Sequence, residues 1–303
     1  MKLLSWNVQG AFPKFGNCQR IKDQIWYLDK IAKKPDIIAL NEVNRFQHDL
    51  WIEELTKIGY SDIVHTLDWA KELGESNVPP HQDFDHVNGN LIAVHETSEV
   101  GSFNLQKPSI RNGPWEDAVL KDWSTNFPEK ILNATVQINN STVDLWNIRA
   151  IPGNMWGEEK IKILENVFNR IKKSEFERST LTGDFNSPKG ETPGGTVVPW
   201  GLDRENFIRG RWVEAELMVL DSIENLGMVD VFRNYHGYGD LDVLDVSHAT
   251  QTDEPLRVPP DEVRGKRFDH LLASKELNPG NCYYEQAGFF CSDHAPLIAE
   301  FKL

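Results

Sequence analysis

The chain has 303 residues, 40% apolar and 26% charged, with 32 Lys plus Arg against 46 Asp plus Glu for a formal net charge of −14. That length supports a sizeable core and the ordinary charged fraction excludes wholesale disorder. The acidic balance excludes a broadly cationic nucleic-acid coat, though not a local basic patch.

Taken in chain order, Lys2–Trp6 (KLLSW) reads as a strand. Ile21, Ile25, Leu28 and Ala32 recur at spacings of four, three and four, the period of one helix face, with Asn17 as N-cap and Pro35 as the stop. Asp36–Leu40 (DIIAL) is a second strand, apolar on both sides as in a sheet covered on both faces. Trp51, Leu55 and Ile58 mark a helix closed by Gly59. Asn90–Val94, Ile131–Ile138 and Thr142–Ile148 read as strands, the last two joined as a hairpin through Asn139-Asn140-Ser141. A helix carrying Ile161, Leu164, Phe168 and Ile171 leads to the strand Ser179–Leu181; Leu217, Leu220, Ile223 and Leu226 predict another helix, closed by Gly227. Phe268–Ala273 and Pro296–Phe301 are the last strands.

Two stretches resist assignment: Asp68–Asn88, polar with His81 and His86, and Ser187–Arg211, with Trp200 and the cluster Arg204, Arg209 and Arg211. Loops of that length in a compact domain are functional or disordered. No repeat, linker or composition shift divides the chain, so one mixed α/β domain over 1–303 is predicted. Cys18, Cys282 and Cys291 are too few and too scattered for a disulfide scaffold or a Cys-rich zinc site. With no basic-then-apolar leader and no run of membrane-spanning length, a soluble cytoplasmic protein is expected.

Polar groups recur where strands end: Asn7 after LLSW, Glu42 after IIALN, Asp184 and Asn186 in LTGDFNSP, Asp293 and His294 before APLIAEF. Side chains just past strand ends converge on one sheet edge, where α/β folds build their sites. Carboxylates, amides and a histidine suit a hard divalent cation such as Mg²⁺ and phosphoryl chemistry. They fit zinc poorly, since there is no HExxH and no paired-cysteine spacing. Each group alone also has a bland reading, as an Asx turn, a solvated carboxylate or an exposed pair. Their common position at strand ends argues for a site.

The motifs SWNVQG (5–10), ALNEVN (39–44), LTGDFNSP (181–188), KRFDHLLAS (266–274) and CSDHAPLIAEF (291–301) resemble, in order, those of the endonuclease/exonuclease/phosphatase superfamily. With GMVDVFRNY (227–235) added, the chain is most similar to the exonuclease III and apurinic/apyrimidinic endonuclease branch. The resemblance implies a deoxyribonuclease-I-like four-layer α/β sandwich, two central mixed β-sheets flanked by helices, and a metal-dependent phosphoric ester hydrolase. It implies that Glu42, with Asn7 beside it and Asp293 adjoining, holds a catalytic Mg²⁺ or Mn²⁺. Asp184 would activate water or align it through a second metal, Asn186 would hold Asp184 and the phosphate, and His294, its ring fixed by Asp269, would sit on a phosphate oxygen. Where that branch has a tyrosine or histidine before a proline, NIRAIPGN (147–154) offers Arg149. Arg149 could replace that hydrogen bond with a charge-assisted one, or point to solvent from an edge strand. Gln9 stands where some members carry a further metal-binding aspartate, which makes a second metal there doubtful.

For the substrate, the branch resemblance favours a nuclease acting on DNA or RNA. Trp156, Trp200, Trp212 and Arg209 are available to stack bases and track a backbone, or to serve as core packing and a solvated helix start. The net charge of −14 favours the alternative, a small-molecule phosphatase or phosphodiesterase. The acidic stretch Gly239–Glu262 would border the mouth or form a solvated loop. A binding module that kept the fold and lost turnover is the third reading.

Overall fold

Period-two alternation along the strands decides the architecture. In the computed structural model, Leu3, Ile37, Ala39, Ile92 and Val94 pack against Leu132, Ala134, Val136, Leu145, Leu271 and Ala273. Their intervening neighbours Leu4, Trp6, Ile38, Leu40, Leu91 and Ala93 face the opposite way, onto helices. A strand that alternates apolar residues on both faces is covered on both faces. The structure describes residues 1–10, 18–75, 86–96, 103–105, 125–138, 141–203, 209–240, 242, 245–249 and 265–302. Asn17, His81, the Asn139-Asn140 turn, Arg204 and most of Gly239–Glu262 lie outside them.

The elements in order are β1 (Lys2–Asn7), α1 (Cys18–Trp26), β2 (Ile37–Asn44), α2 (His48–Lys57), β3 (Tyr60–His65), α3 (Leu67–Glu75), β4 (Asn88–His95), β5 (Phe103–Leu105), β6 (Ile131–Ile138) and β7 (Ser141–Arg149). There follow α4 (Gly153–Lys173), β8 (Ser179–Asp184), β9 (Gly190–Glu191), β10 (Val197–Val198), α5 (Arg209–Leu220), β11 (Met228–Asp230) and α6 (Val231–His236). The last are β12 (His248–Ala249), β13 (Gly265–Lys266), β14 (Asp269–Ser274), β15 (Pro279–Tyr284) and β16 (Leu297–Phe301).

Two six-stranded sheets result, ordered β15-β16-β1-β2-β4-β3 and β11-β14-β8-β7-β6-β5. Each is antiparallel except for one central parallel pair, β1 with β2 and β7 with β8. The sheets face each other across the first core. α1 and α2 cover the outer face of one through Ile21, Ile25, Trp51 and Leu55, and α4 and α5 cover the other through Ile161, Leu164, Trp212 and Val219. Burying each such Leu or Ile is worth about 1.5–3 kcal/mol. This is the expected four-layer α/β sandwich. β6 and β7 form the expected hairpin, paired from Ile131↔Ile148 to Ile138↔Ser141.

Several elements differ from the sequence reading. α1 ends at Trp26 and continues as a π-turn over Tyr27–Ile31, which brings both Tyr27 and Leu28 into the core. The helix predicted from Leu217 to Leu226 is instead α5 followed by a 3₁₀ turn over Ser222–Leu226, ending at Gly227 with φ of 73°. The face α5 buries is Trp212, Ala215, Glu216 and Val219, and the carboxylate in that row hides the period. Asp68–Asn88 includes most of α3 and the start of β4, so it is not one long loop. Among the described residues no cysteine forms a disulfide, and no helix is long and apolar enough to cross a membrane.

Candidate active site

The parallel pairs carry the site. Counting by twos from Leu3 along β1 puts Asn7 on the face between the sheets, and counting from Leu271 back along β14 does the same for Asp269. On β7, Val143 and Leu145 share that face with Asn147 and Arg149. Strand β2 breaks the count. Its pairing with β4 shifts between Leu40 and Val43, and Glu42 takes φ of 56°. This bulge turns both Asn41 and Glu42 inward, where strict alternation would allow only one. A left-handed backbone at a glutamate is strained, and the strain sits at the candidate site. Gly10 lies against the same bulge; a Cβ there would come within 2.0 Å of the Glu42 carbonyl oxygen.

Asp184, the last residue of β8, is the most tightly held group. Its Oδ2 accepts hydrogen bonds from Asn7 Nδ2 at 3.0 Å and Asn186 Nδ2 at 2.9 Å, and its Oδ1 from the Asn186 amide at 2.8 Å. The Asp184 amide donates to Asn41 Oδ1 at 3.0 Å, and Asn186 is itself tied to the Ala150 carbonyl at 2.8 Å. Gly183 makes the turn possible: φ there is 130°, and a Cβ would meet the Ile148 carbonyl at 1.9 Å. Burial pushes the Asp184 carboxyl up to about 6, with Asp269 adding to the rise and the His294 charge opposing it.

His294 lies just before β16. Its Nδ1 is 2.7 Å from Asp269 Oδ2, which leaves Nε2 to face outward from the pair. Burial disfavours the charged ring, but the Asp269 carboxylate outweighs it and holds the imidazolium to about 10. The backbone around it is pinned. Trp6 Nε1 donates to the His294 carbonyl at 2.8 Å, and Ser292 Oγ accepts from the His294 amide at 3.1 Å while donating to the Asn7 carbonyl at 2.6 Å.

Glu42 Oε1 receives both Nε and Nη2 of Arg149, at 2.7 and 2.6 Å. Burial pushes the Glu42 carboxyl up, but Arg149, His294 and the Asn7 amide hold it below the usual carboxylate range. β7 runs between β6 and β8, so the solvent-pointing, edge-strand reading of Arg149 is corrected. Asp293 Oδ1 is buried without a hydrogen-bond partner, and burial and the nearby Glu42 push its carboxyl up. Two mutually repelling carboxylates, one with an unpartnered oxygen, are a donor set that a hard cation fits.

The structure thus brings together Asn7, Glu42, Arg149, Asp184, Asn186, Asp269, Asp293 and His294. Trp200 and Arg209 are not among them. Trp200 packs half-buried against the α4–α5 cluster with Lys266 Nζ 4.1 Å from its ring centre, and Arg209 is exposed at the start of α5. Trp156 lies in α4, but its side chain is outside the described residues. Trp212 is buried against Gly153 and Gly157 of α4, where an added Cβ would strike its ring at 2.1 and 2.3 Å. It is core.

Sequence reasoning missed the supports. Asn41 Nδ2 donates to Asn147 Oδ1 at 2.8 Å and Asn90 Oδ1 at 3.0 Å, stitching the sheets below Asp184. Lys130, fully buried, donates to the Asn88 carbonyl at 2.8 Å and lies 3.3 Å from Glu129, which also holds His86 at 2.9 Å. Burial pushes the Lys130 ammonium down to about 8. The run of inward asparagines at 41, 88, 90 and 147, at positions where apolar residues are the rule, is the signal that could have found this network.

No family model and no curated protein matches the chain. Solved structures do. An AP endonuclease from Archaeoglobus fulgidus superposes with a TM-score of 0.62 at 19% identity, covering 100% of both chains. TDP2 from D. rerio, complexed with a single strand DNA product, gives 0.58 at 16% identity, covering 100% of this chain and 99% of that one. An endonuclease/exonuclease/phosphatase from Beutenbergia cavernae DSM 12333 gives 0.58 at 16% identity, covering 100% of this chain and 71% of that one. The chain has the endonuclease/exonuclease/phosphatase fold.

Proposed function

We propose that this chain, read as a single domain over 1–303, is a divalent-metal-dependent phosphodiesterase of the nuclease type that hydrolyses DNA or RNA by direct attack of water. The observation that carries the reading is the grouping of a buried carboxylate braced by two asparagines with a histidine backed by a second carboxylate. Asp184 is gripped by Asn7 and Asn186 within 3.0 Å, and His294 Nδ1 lies 2.7 Å from Asp269 Oδ2, a carboxylate that favours the charged ring. The similar solved structures, an AP endonuclease and TDP2 complexed with a single strand DNA product, support the substrate class.

In this reading Asp184 accepts the proton of the attacking water, and Asn7 and Asn186 fix which oxygen faces it. The Nε2–H of His294 donates to a non-bridging phosphate oxygen as charge gathers there. Glu42, Asp293 and Asn7 would hold Mg²⁺ or Mn²⁺, which when bound neutralises phosphate charge. Arg149 keeps Glu42 ionised and aimed into the site, and presents a guanidinium suited to a phosphate oxygen. Trp200 and Arg209 are the proposed polynucleotide contacts on the α4–α5 flank.

The test is a panel of single- and double-stranded DNA, abasic DNA, RNA and simple phosphate esters, each with Mg²⁺ or Mn²⁺ and with Glu42→Gln as control. Cleavage of a polynucleotide that needs metal and Glu42 is expected. Turnover of simple esters alone overturns the nuclease reading and leaves the small-molecule one, which the net charge of −14 favours. Salt separates the two, because polynucleotide cleavage weakens steeply as salt rises and small-ester hydrolysis only mildly.

A further inference from the structure

His248 belongs to none of the recognised motifs and has no part in the proposed chemistry, yet it is built into the same edge. It sits on β12, paired with Lys266 of β13, and its backbone bridges to His294. The Ala249 amide donates to the Asp293 carbonyl at 3.0 Å and the Ala295 amide to the Ser247 carbonyl at 2.8 Å, so the segment's position relative to Asp293 and His294 is fixed by the backbone. The ring stacks on Phe268 with centroids 5.2 Å apart and lies 4.6 Å from the His294 ring.

Two polar atoms here are buried with no hydrogen-bond partner, His248 Nδ1 and Asp293 Oδ1. The second lies 3.9 Å from His294 Nε2, the nitrogen that Asp269 leaves available. One ligand atom from each of His248, Asp293 and His294 lies within 4.8 Å of the others. Buried polar atoms without partners are costly, and two of them on residues whose ligand atoms cluster this closely call for a shared ligand. Two imidazole nitrogens and one carboxylate oxygen match a borderline divalent cation that keeps a fourth, open position; Mg²⁺ prefers oxygen throughout. A tetrahedral Zn²⁺ with bonds of about 2.0–2.1 Å holds its ligand atoms roughly 3.4 Å apart, so the 3.9 Å pair must close by about half an ångström. The Asp293 side chain, 37% exposed, has room to turn.

We propose that His248, Asp293 and His294 form a second cation site, selective for Zn²⁺-like ions over Mg²⁺, whose occupation switches hydrolysis off. The cation takes the His294 Nε2 lone pair, releasing its proton to solvent, and so removes the donor that faces the phosphate. It also draws Asp293 away from the oxygen-rich set with Glu42. The binding claim stands on the geometry alone; only the inhibition rests on the proposed function.

The experiment titrates the chelator-treated chain with Co²⁺, read by its visible absorption, and then displaces Co²⁺ with Zn²⁺. The expected result is one ion per chain in an imidazole-bearing site, weakened by at least about tenfold in His248→Gln and His248→Ala. Without recourse to variants, the imidazole NMR signals of His248 and His294 should shift together on adding Zn²⁺. Micromolar Zn²⁺ should suppress Mg²⁺-dependent hydrolysis in the wild type, while His248→Gln keeps the Mg²⁺ rate and resists Zn²⁺. Equal Co²⁺ binding by wild type and His248→Gln, or histidine signals unmoved by Zn²⁺, overturns the site. His248-dependent Co²⁺ binding in a chain that cleaves no phosphodiester upholds the site and sinks the nuclease reading.

Discussion

The Arg149 guanidinium closes on a single oxygen of Glu42, Nε at 2.7 Å and Nη2 at 2.6 Å, across the gap between the two sheets. A cation held by Glu42 must share that carboxylate with Arg149. Arg149→Met should therefore destabilise the metal-free chain by about 3–5 kcal/mol, the cost of a buried carboxylate left without its partner. Added Mg²⁺ or Mn²⁺ should recover more stability in the variant than in the wild type, since the competing charge is gone. Denaturant melts with and without cation check this; an equal metal effect in both chains would show that Glu42 holds no metal.

Asp184→Asn keeps the shape of a side chain that is 1% exposed and removes its charge. Activity on any phosphodiester should fall by a factor on the order of 10² or more, the size of a general-base contribution. Both Asp184 oxygens accept from donors, so the carboxamide leaves at least one buried donor unpaired and the thermal midpoint should fall, by the cost of about 1–3 kcal/mol for one unsatisfied group. Steady-state kinetics and calorimetry on the same preparation separate lost chemistry from lost fold.

The pH profile should have two limbs. Hydrolysis needs Asp184 ionised and His294 protonated, so kcat should climb as pH rises through about 6 and fall as it rises through about 10. In Asp269→Asn the buried ring loses the carboxylate that keeps it charged, and the alkaline limb should move down by about two pH units. Because His294 is raised above its ordinary 6.5, its pairing stabilises the fold fully below that pH, and the benefit is lost as pH climbs through about 10. Rate profiles from pH 5 to 11 on wild type and variant read both limbs.

Asn41→Ala removes the two bonds to Asn90 and Asn147 and the acceptor for the Asp184 amide. Leaving those buried groups unpaired should cost about 2–4 kcal/mol of stability. It should also lower kcat more than it raises KM, because Asp184 loses its backbone anchor while the substrate surface is untouched. Urea melts and kinetics at saturating substrate test this together.

The strands that are apolar on both faces are legible in the letters, and so are the groups at their ends. β2, β6, β8 and β14 fall within a few residues of where their runs predict. The edge strands are not. β3 mixes Ser61 and Asp62 with apolar residues because one side of it meets solvent, and β15 opens with Pro279 and Gly280. Asn7, Asp184, Asp269 and His294 stand out because each terminates or adjoins an apolar run. Asn41 stays hidden beside Glu42, since nothing in ALNEVN announces a bulge that turns consecutive residues to one side. His248 is hidden for another reason: its neighbours are set by a two-residue strand and a backbone bridge, which leave no periodic trace.

The candidate machinery is divided between the two sheets, with Asn7 and Glu42 on one and Arg149, Asp184 and Asp269 on the other. Neither half holds a working set, and a slip of one sheet past its mate by a single residue step, about 3.3 Å, would part every cross-gap bond at once. Catalytic competence is thus a gauge of how truly the halves are docked, and loosening of that seam should silence the protein while its strands remain intact.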